Sequence, residues 1–201
     1  MKKEPIEFYF DFMSPFAYLA HRPLCALADR YKREIIYKPI DLPAAKIAAG
    51  NTGPSNREVP VKLRYLLEDI NRWAARYELP VNFPASLNST RMNVGTFVAI
   101  ERNQARQYVD AGFSLGWGEG ADIGADATLG TLAERMGWPV SEFLQTLSAP
   151  EENDQFVASN NEAHERGVFG VPTMLIGTHM WWGNDRLEFL DEFLADSSQK
   201  A

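Results

Sequence analysis

Residues 8–23 read FYFDFMSPFAYLAHRP, and the change of rhythm at Ser14-Pro15 decides how the fold begins. Upstream, over PIEFYFDF (5–12), Ile6, Phe8, Phe10 and Phe12 alternate with Glu7, Tyr9 and Asp11, the two-residue period of a strand. Downstream, Leu19, Ala20, Leu24, Leu27, Ala28 and Tyr31 recur at helical spacing. Ser followed by Pro is a favoured N-cap and first-turn pair, so the strand should hand over directly to a helix. Pro23 should interrupt or kink that helix, because it lacks an N–H and its ring crowds the preceding turn.

A second strand is expected over 34–39 (EIIYKP), which completes a right-handed βαβ unit. Strand character returns only near the other end, over 173–176 (TMLI) and 179–182 (HMWW), joined by a tight Gly177-Thr178 turn. A last helix over 186–194 would bury Leu187, Leu190, Phe193 and Leu194. Between the two ends the pattern is helical. Leu63, Leu66, Leu67, Ile70, Trp73 and Tyr77 make one face, and further helices are expected at 90–111, 126–137, 139–147 and 151–166. The expected fold class is therefore α/β: a thioredoxin-like βαβ…ββα core (1–41 and 167–201) split by a large all-helical insertion (42–166).

Composition narrows the function. The chain has 201 residues, 45% of them hydrophobic, enough to bury a full core. A formal charge of −7 argues against nucleic acid as a partner, because phosphate binding needs a basic footprint. No stretch approaches the ~18 apolar residues of a membrane span, and MKKEPIEFYF does not read as a signal peptide. Cys25 is the single cysteine, so no intramolecular disulfide can form, and a reducing, cytoplasmic compartment is expected. The segment 197–201 reads as a frayed polar tail.

Three segments could carry chemistry. Ser14 can simply cap its helix; it can also donate its hydroxyl to an anion drawn to the helix N-terminus. Thioredoxin-like redox proteins place a reactive Cys-x-x-Cys here, whereas this chain has Ser14-Pro15-Phe16-Ala17. Any sulfur it works on must arrive with a ligand. Val171-Pro172, just before a strand, is where a cis proline would fit, leaving the preceding residue's backbone to pair with an extended thiol peptide. Asp185 followed by Glu188 matches a capping box; alternatively Asp185 recognises an amino group while nearby N–H groups take a carboxylate.

Other signals are weaker. Gly112-Phe113-Ser114-Leu115-Gly116 fits G-x-S-x-G, but the preceding residues read as helix rather than the strand that a nucleophile elbow requires. Gly116-x-Gly118-x-x-Ala121 lacks the βαβ start of a dinucleotide loop. His21, His164 and His179 share no metal-ligand spacing and read as surface or capping residues; Cys25 reads as core.

Taken in order, FDFMSPFAYLA, VPVKLRYLLEDINRWAARY, GVFGVPT and WWGNDRLEFL resemble the 2-hydroxychromene-2-carboxylate isomerase family. That family is related to kappa-class glutathione transferases and to the DsbA-like thioredoxin superfamily. The resemblance covers essentially the whole chain. It implies glutathione as the bound thiol, held by Ser14, Val171, Pro172, Trp182, Gly183, Asn184, Asp185 and Lys62, with Lys46 and Asn56 on the substrate side. It further implies a homodimer, a small aromatic carboxylate as substrate, and cis–trans isomerisation by reversible thiolate addition. Two other readings remain open: a kappa-type transferase that releases a conjugate, and a redox-inert thioredoxin-like module that binds peptides.

Overall fold

The computed structural model describes residues 3–150 and 153–199. Strand β1 (Ile6–Phe10) pairs in parallel with β2 (Ile35–Pro39), from Ile6 opposite Ile35 to Phe10 opposite Pro39. Helix α1 (Pro15–Tyr31) makes the crossover between them. Strand β3 (Thr173–Ile176) is antiparallel to both β1 and β4 (His179–Trp182), giving the order β2-β1-β3-β4. Each expected strand is present among the described residues; β1 is shorter than its 5–12 pattern, with Asp11 and Phe12 beyond its end, and β2 starts one residue later than its pattern suggested.

The two-residue alternation sorts side chains onto opposite faces of this sheet. Phe8, Phe10, Met174 and Ile176 pack with Leu19, Leu24 and Leu27 of α1 and with Leu187, Leu190 and Leu194. The last three belong to α9 (Leu187–Gln199), which runs past the expected end at 194; Lys200 and Ala201 of the expected polar tail lie outside the described residues. Tyr9 and Leu175 face the other way and pack with Ile40, Ala163, Val168 and Val171. Each fully buried aliphatic or aromatic side chain contributes roughly 1.5–3 kcal/mol.

Between β2 and β3 run α2 (Leu42–Ala48), α3 (Pro60–Tyr77), α4 (Thr90–Glu101), α5 (Ala105–Phe113), a π-helical turn (Ser114–Gly118), α6 (Asp126–Arg135), α7 (Val140–Thr146) and α8 (Asp154–Glu165). The core that starts under α1 continues into these helices through an aromatic chain. Phe12 lies 4.8 Å from Phe113 and 6.0 Å from Tyr108; Tyr108 stacks on Trp138 at 5.6 Å.

Several expectations need correction. Pro23 sits inside α1 without ending it, because the helix is clamped by buried residues on both sides, from Ala17 to Ala28. The stretch 90–111 is two helices rather than one, broken where Asn103 adopts a φ of 55°. On α3 only Ile70 and Ala74 are buried, while Leu67 is exposed, since the helix lies on the outside of the molecule. The helix expected from 151 begins at Asp154, capped by Asn153; Glu151 and Glu152 lie outside the described residues. Ser114 falls in a helical turn, which removes the nucleophile-elbow geometry.

Candidate active site

Strand register brings the candidate segments together. Phe10 and Pro39 are opposite each other where β1 and β2 end, so the turns to α1 and α2 leave from the same end of the sheet. Thr173, the first residue of β3, is opposite Tyr9 on one side and Trp182, the last residue of β4, on the other. Ser14, Val171-Pro172 and residues 182–185 thus gather at one end, beside the start of the helix that carries Lys46.

Ser14 is 4% exposed and caps α1: its Oγ accepts the Ala17 N–H at 3.2 Å, and its own N–H donates to the Asp11 carbonyl at 3.0 Å. Its hydroxyl hydrogen has no acceptor among the described residues, and no base is hydrogen-bonded to it. The first turn of α1 contains no acidic residue, so the positive end of this 17-residue helix is not neutralised from within. This arrangement suits an anion rather than a serine nucleophile, which needs a base beside its hydroxyl.

The Val171-Pro172 peptide bond is cis, as the sequence context suggested. Neither the N–H nor the C=O of Val171 takes part in a hydrogen bond among the described residues, whereas the Pro172 carbonyl accepts the Gly183 N–H at 2.9 Å. Thr173 Oγ1 donates to the Gly170 carbonyl at 2.7 Å and pins the approach to the strand. Trp182 lies against Gly170 so closely that a Cβ there would sit 2.7 Å from the indole Nε1. Phe169 meets the same indole edge-on at 4.8 Å.

Residues 184–186 form a 3₁₀ turn ahead of α9, so the expected capping box does not form. Asp185 instead pairs with Arg186 at 2.7 Å, and Glu188 pairs with Arg76 of α3. Gly183 has a φ of 112°, and the Asp185 carboxylate occupies the space a Cβ would need. Asn184 is buried with its side-chain amide turned to the Tyr77 hydroxyl, whose charged form it favours, without a close hydrogen bond from Nδ2 among the described residues.

The remaining candidates sit further out. Lys46 lies half-buried on α2, Asn56 is exposed in the loop before α3, and Lys62 is exposed in the first turn of α3. Lys62 is at the opposite end of α3 from Tyr77, about 22 Å along the axis at ~1.5 Å per residue. A ligand that meets both regions must meet them with different ends. Neither lysine forms an ion pair among the described residues.

One group here was not singled out from the sequence. Asp11 is 1% exposed and accepts four hydrogen bonds, from Met13 N–H, Leu42 N–H, Asn93 Nδ2 and Ser89 Oγ. Burial pushes its carboxyl above the usual range, against the pull of those four donors. A charged residue set between Phe10 and Phe12 in an otherwise apolar strand end was the available signal, since buried carboxylates require partners.

His21 also differs from expectation: it is 2% exposed, packed among Phe8, Tyr37 and Phe113. Its Nε2 is 3.1 Å from the Tyr37 hydroxyl and 3.5 Å from Cys25 Sγ, and its Nδ1 is 3.7 Å from Asp110. His21, Cys25 and Asp110 line a cleft of about 450 Å³ between α1 and α5. The contacts imitate a Cys-His-Asp triad, but burial holds the thiol up and drives the imidazole down to about 3. Both stay neutral at physiological pH, which suits a structural network and not a nucleophile.

A serine-capped strand-to-helix turn after β1, beside a cis-proline loop that enters the neighbouring β3 of a four-stranded sheet, defines a thioredoxin-fold protein without a cysteine pair at that turn. The DsbA-like thioredoxin domain matches residues 5–195. A 2-hydroxychromene-2-carboxylate isomerase of Pseudomonas putida is 46% identical over 92% of this chain and 92% of its own length. A solved structure of a 2-hydroxychromene-2-carboxylate isomerase superposes with a TM-score of 0.91 at 44% identity, covering 97% of this chain and 96% of that one. Human glutathione S-transferase kappa 1 is more distant, at 22% identity over 95% of this chain and 91% of its own length. The chain belongs to the DsbA-like thioredoxin family and, within it, to the 2-hydroxychromene-2-carboxylate isomerases.

Proposed function

We propose that this protein is a glutathione-dependent isomerase that interconverts 2-hydroxychromene-2-carboxylate and trans-o-hydroxybenzylidenepyruvate, the activity for which its relatives are named. The observation that carries the reading is Ser14: its oxygen is engaged by the helix it caps while its hydrogen is uncommitted. The surrounding residues suit an extended thiol peptide. Val171 offers an unpaired N–H and C=O, and Asn184 a buried amide beside the Tyr77 hydroxyl. When bound, glutathione supplies a thiolate whose reversible addition converts a conjugated double bond into a single bond free to rotate.

The protein's part is to keep that sulfur ionised and to orient both molecules. A free thiol titrates near ~8.5, and lowering this to ~6.5–7 needs roughly 2–2.7 kcal/mol. A helix terminus contributes about 0.3–1 kcal/mol, in favourable cases ~2, and a hydrogen bond to a charged acceptor about 1.5–3. Ser14 and its helix are therefore sufficient together. Pro172 and Trp182 wall the peptide, Gly183 lets the backbone approach it, and Asp185 exchanges Arg186 for the ligand's ammonium. Lys46 and Asn56 hold the substrate's carboxylate or an oxyanion developing on it.

The deciding experiment follows free glutathione while substrate is turned over. Product accumulation at constant glutathione supports the isomerase. Consumption of one glutathione per product supports the kappa-type transferase, which the similarity to the human kappa enzyme makes the second reading. No glutathione binding at all would leave a redox-inert peptide-binding module.

A further inference from the structure

The buried carboxyl of Asp11 joins three parts of the chain. Through Met13 N–H (3.1 Å) it holds the turn that ends in Ser14. Through Leu42 N–H (3.0 Å) it holds the first residue of α2, one turn ahead of Lys46. Through Ser89 and Asn93 it is anchored to the start of α4. Asn93 extends the anchor, accepting the Phe12 N–H at 3.2 Å and donating to the Ile40 carbonyl at 3.2 Å. All four donors to Asp11 are neutral, and no charged side chain of β1, α2 or α4 acts on it.

We propose that Asp11 is a positioning residue that fixes the Ser14 hydroxyl and the start of the Lys46 helix in one geometry, so that thiol and substrate are aligned by a single buried hub. The proposal rests on the glutathione reading above. It requires that Asp11 act through placement and not through its own charge. The two possibilities have opposite signs: removing a nearby negative charge makes a thiolate easier to form, whereas misplacing its hydrogen-bond donor makes it harder.

The test uses Asp11→Asn, which keeps the shape but sets an amide donor against donors already present, together with Ser89→Ala, which leaves the Asp11 charge in place and loosens its anchor. Glutathione is added to each protein, the thiolate ultraviolet absorbance is titrated against pH, and kcat and KM are measured separately. For Asp11→Asn we expect the thiolate midpoint to move up by about one pH unit. We expect kcat to fall about 10–100-fold, as for a misplacement near 1 Å, with KM for glutathione little changed. Ser89→Ala should move both readings the same way by less, and it carries the test if Asp11→Asn does not fold. A downward midpoint, or unchanged midpoints with losses that merely follow thermal stability, overturns the proposal. If the wild-type protein shows no bound thiolate, the glutathione reading fails first and this inference falls with it.

Discussion

Replacing Ser14 tests the central chemistry, because the residue has two separable jobs. As N-cap it accepts the Ala17 N–H at 3.2 Å, and its loss should destabilise the fold by about 0.5–2 kcal/mol. As donor to a bound thiolate it contributes about 1.5–3 kcal/mol, which corresponds to about 1–2 pH units at ~1.36 kcal/mol each. In Ser14→Ala the bound thiol should therefore titrate near ~7.5–9 in place of ~6.5–7, leaving roughly 1–25% thiolate at neutral pH. Ser14→Asp separates the two jobs. It restores a capping acceptor, favourable at a helix N-terminus, but presents no donor at neutral pH and a like charge to the sulfur. Chemical denaturation should show Ser14→Asp near wild-type stability and Ser14→Ala below it. Ultraviolet titration with glutathione should show the thiolate lost in both. If both variants titrate within about 0.3 unit of the wild type, against the 1–2 expected, Ser14 is only a cap and the proposed mechanism is wrong.

Other outcomes follow from single contacts. Gly170→Ala drives a Cβ to 2.7 Å from the Trp182 indole, so glutathione affinity should drop and stability fall by about 1–3 kcal/mol; unchanged binding in calorimetry would remove Trp182 from the ligand wall. His21 is driven down to about 3 by burial, against an unfolded value near 6.5. Its contribution is thus complete above pH ~6.5 and lost as pH falls toward 3, because the unfolded chain takes up the proton first. Urea denaturation should show the acid-side slope flatten in His21→Gln, and identical slopes would show that His21 is protonated in the folded state. Cys25 is buried with its thiol held up, so iodoacetamide should label it only after unfolding, as mass spectrometry can read. Rapid labelling of the native protein would reopen the cleft beside it as a reactive site.

Local pattern was enough to locate all four strands, the Ser14-Pro15 handover and the cis-proline loop, since each depends on residues close together in the chain. Period-two alternation, a capping pair and a proline before a strand are short-range signals. Where local rules and packing disagreed, packing prevailed: Pro23 lies within a continuous α1, and His21 is drawn among aromatic rings. The glutathione and substrate residues were named through family resemblance; periodicity could not have chosen Lys46 or Asn56 from other exposed polar residues.

The sequence by itself determined the elements and, with Cys25 as its single cysteine and Ser14 at the start of α1, the lack of a cysteine pair at that turn. Only the tertiary structure decided that Ser14, Val171-Pro172 and residues 182–185 share one end of a sheet, because strand register is a long-range property. It alone revealed Asp11 as a hub, bonded to partners 78 and 82 residues away. The physical reason is that burying a carboxylate demands donors, and which donors arrive is settled when distant segments pack, not by the order in which they are written.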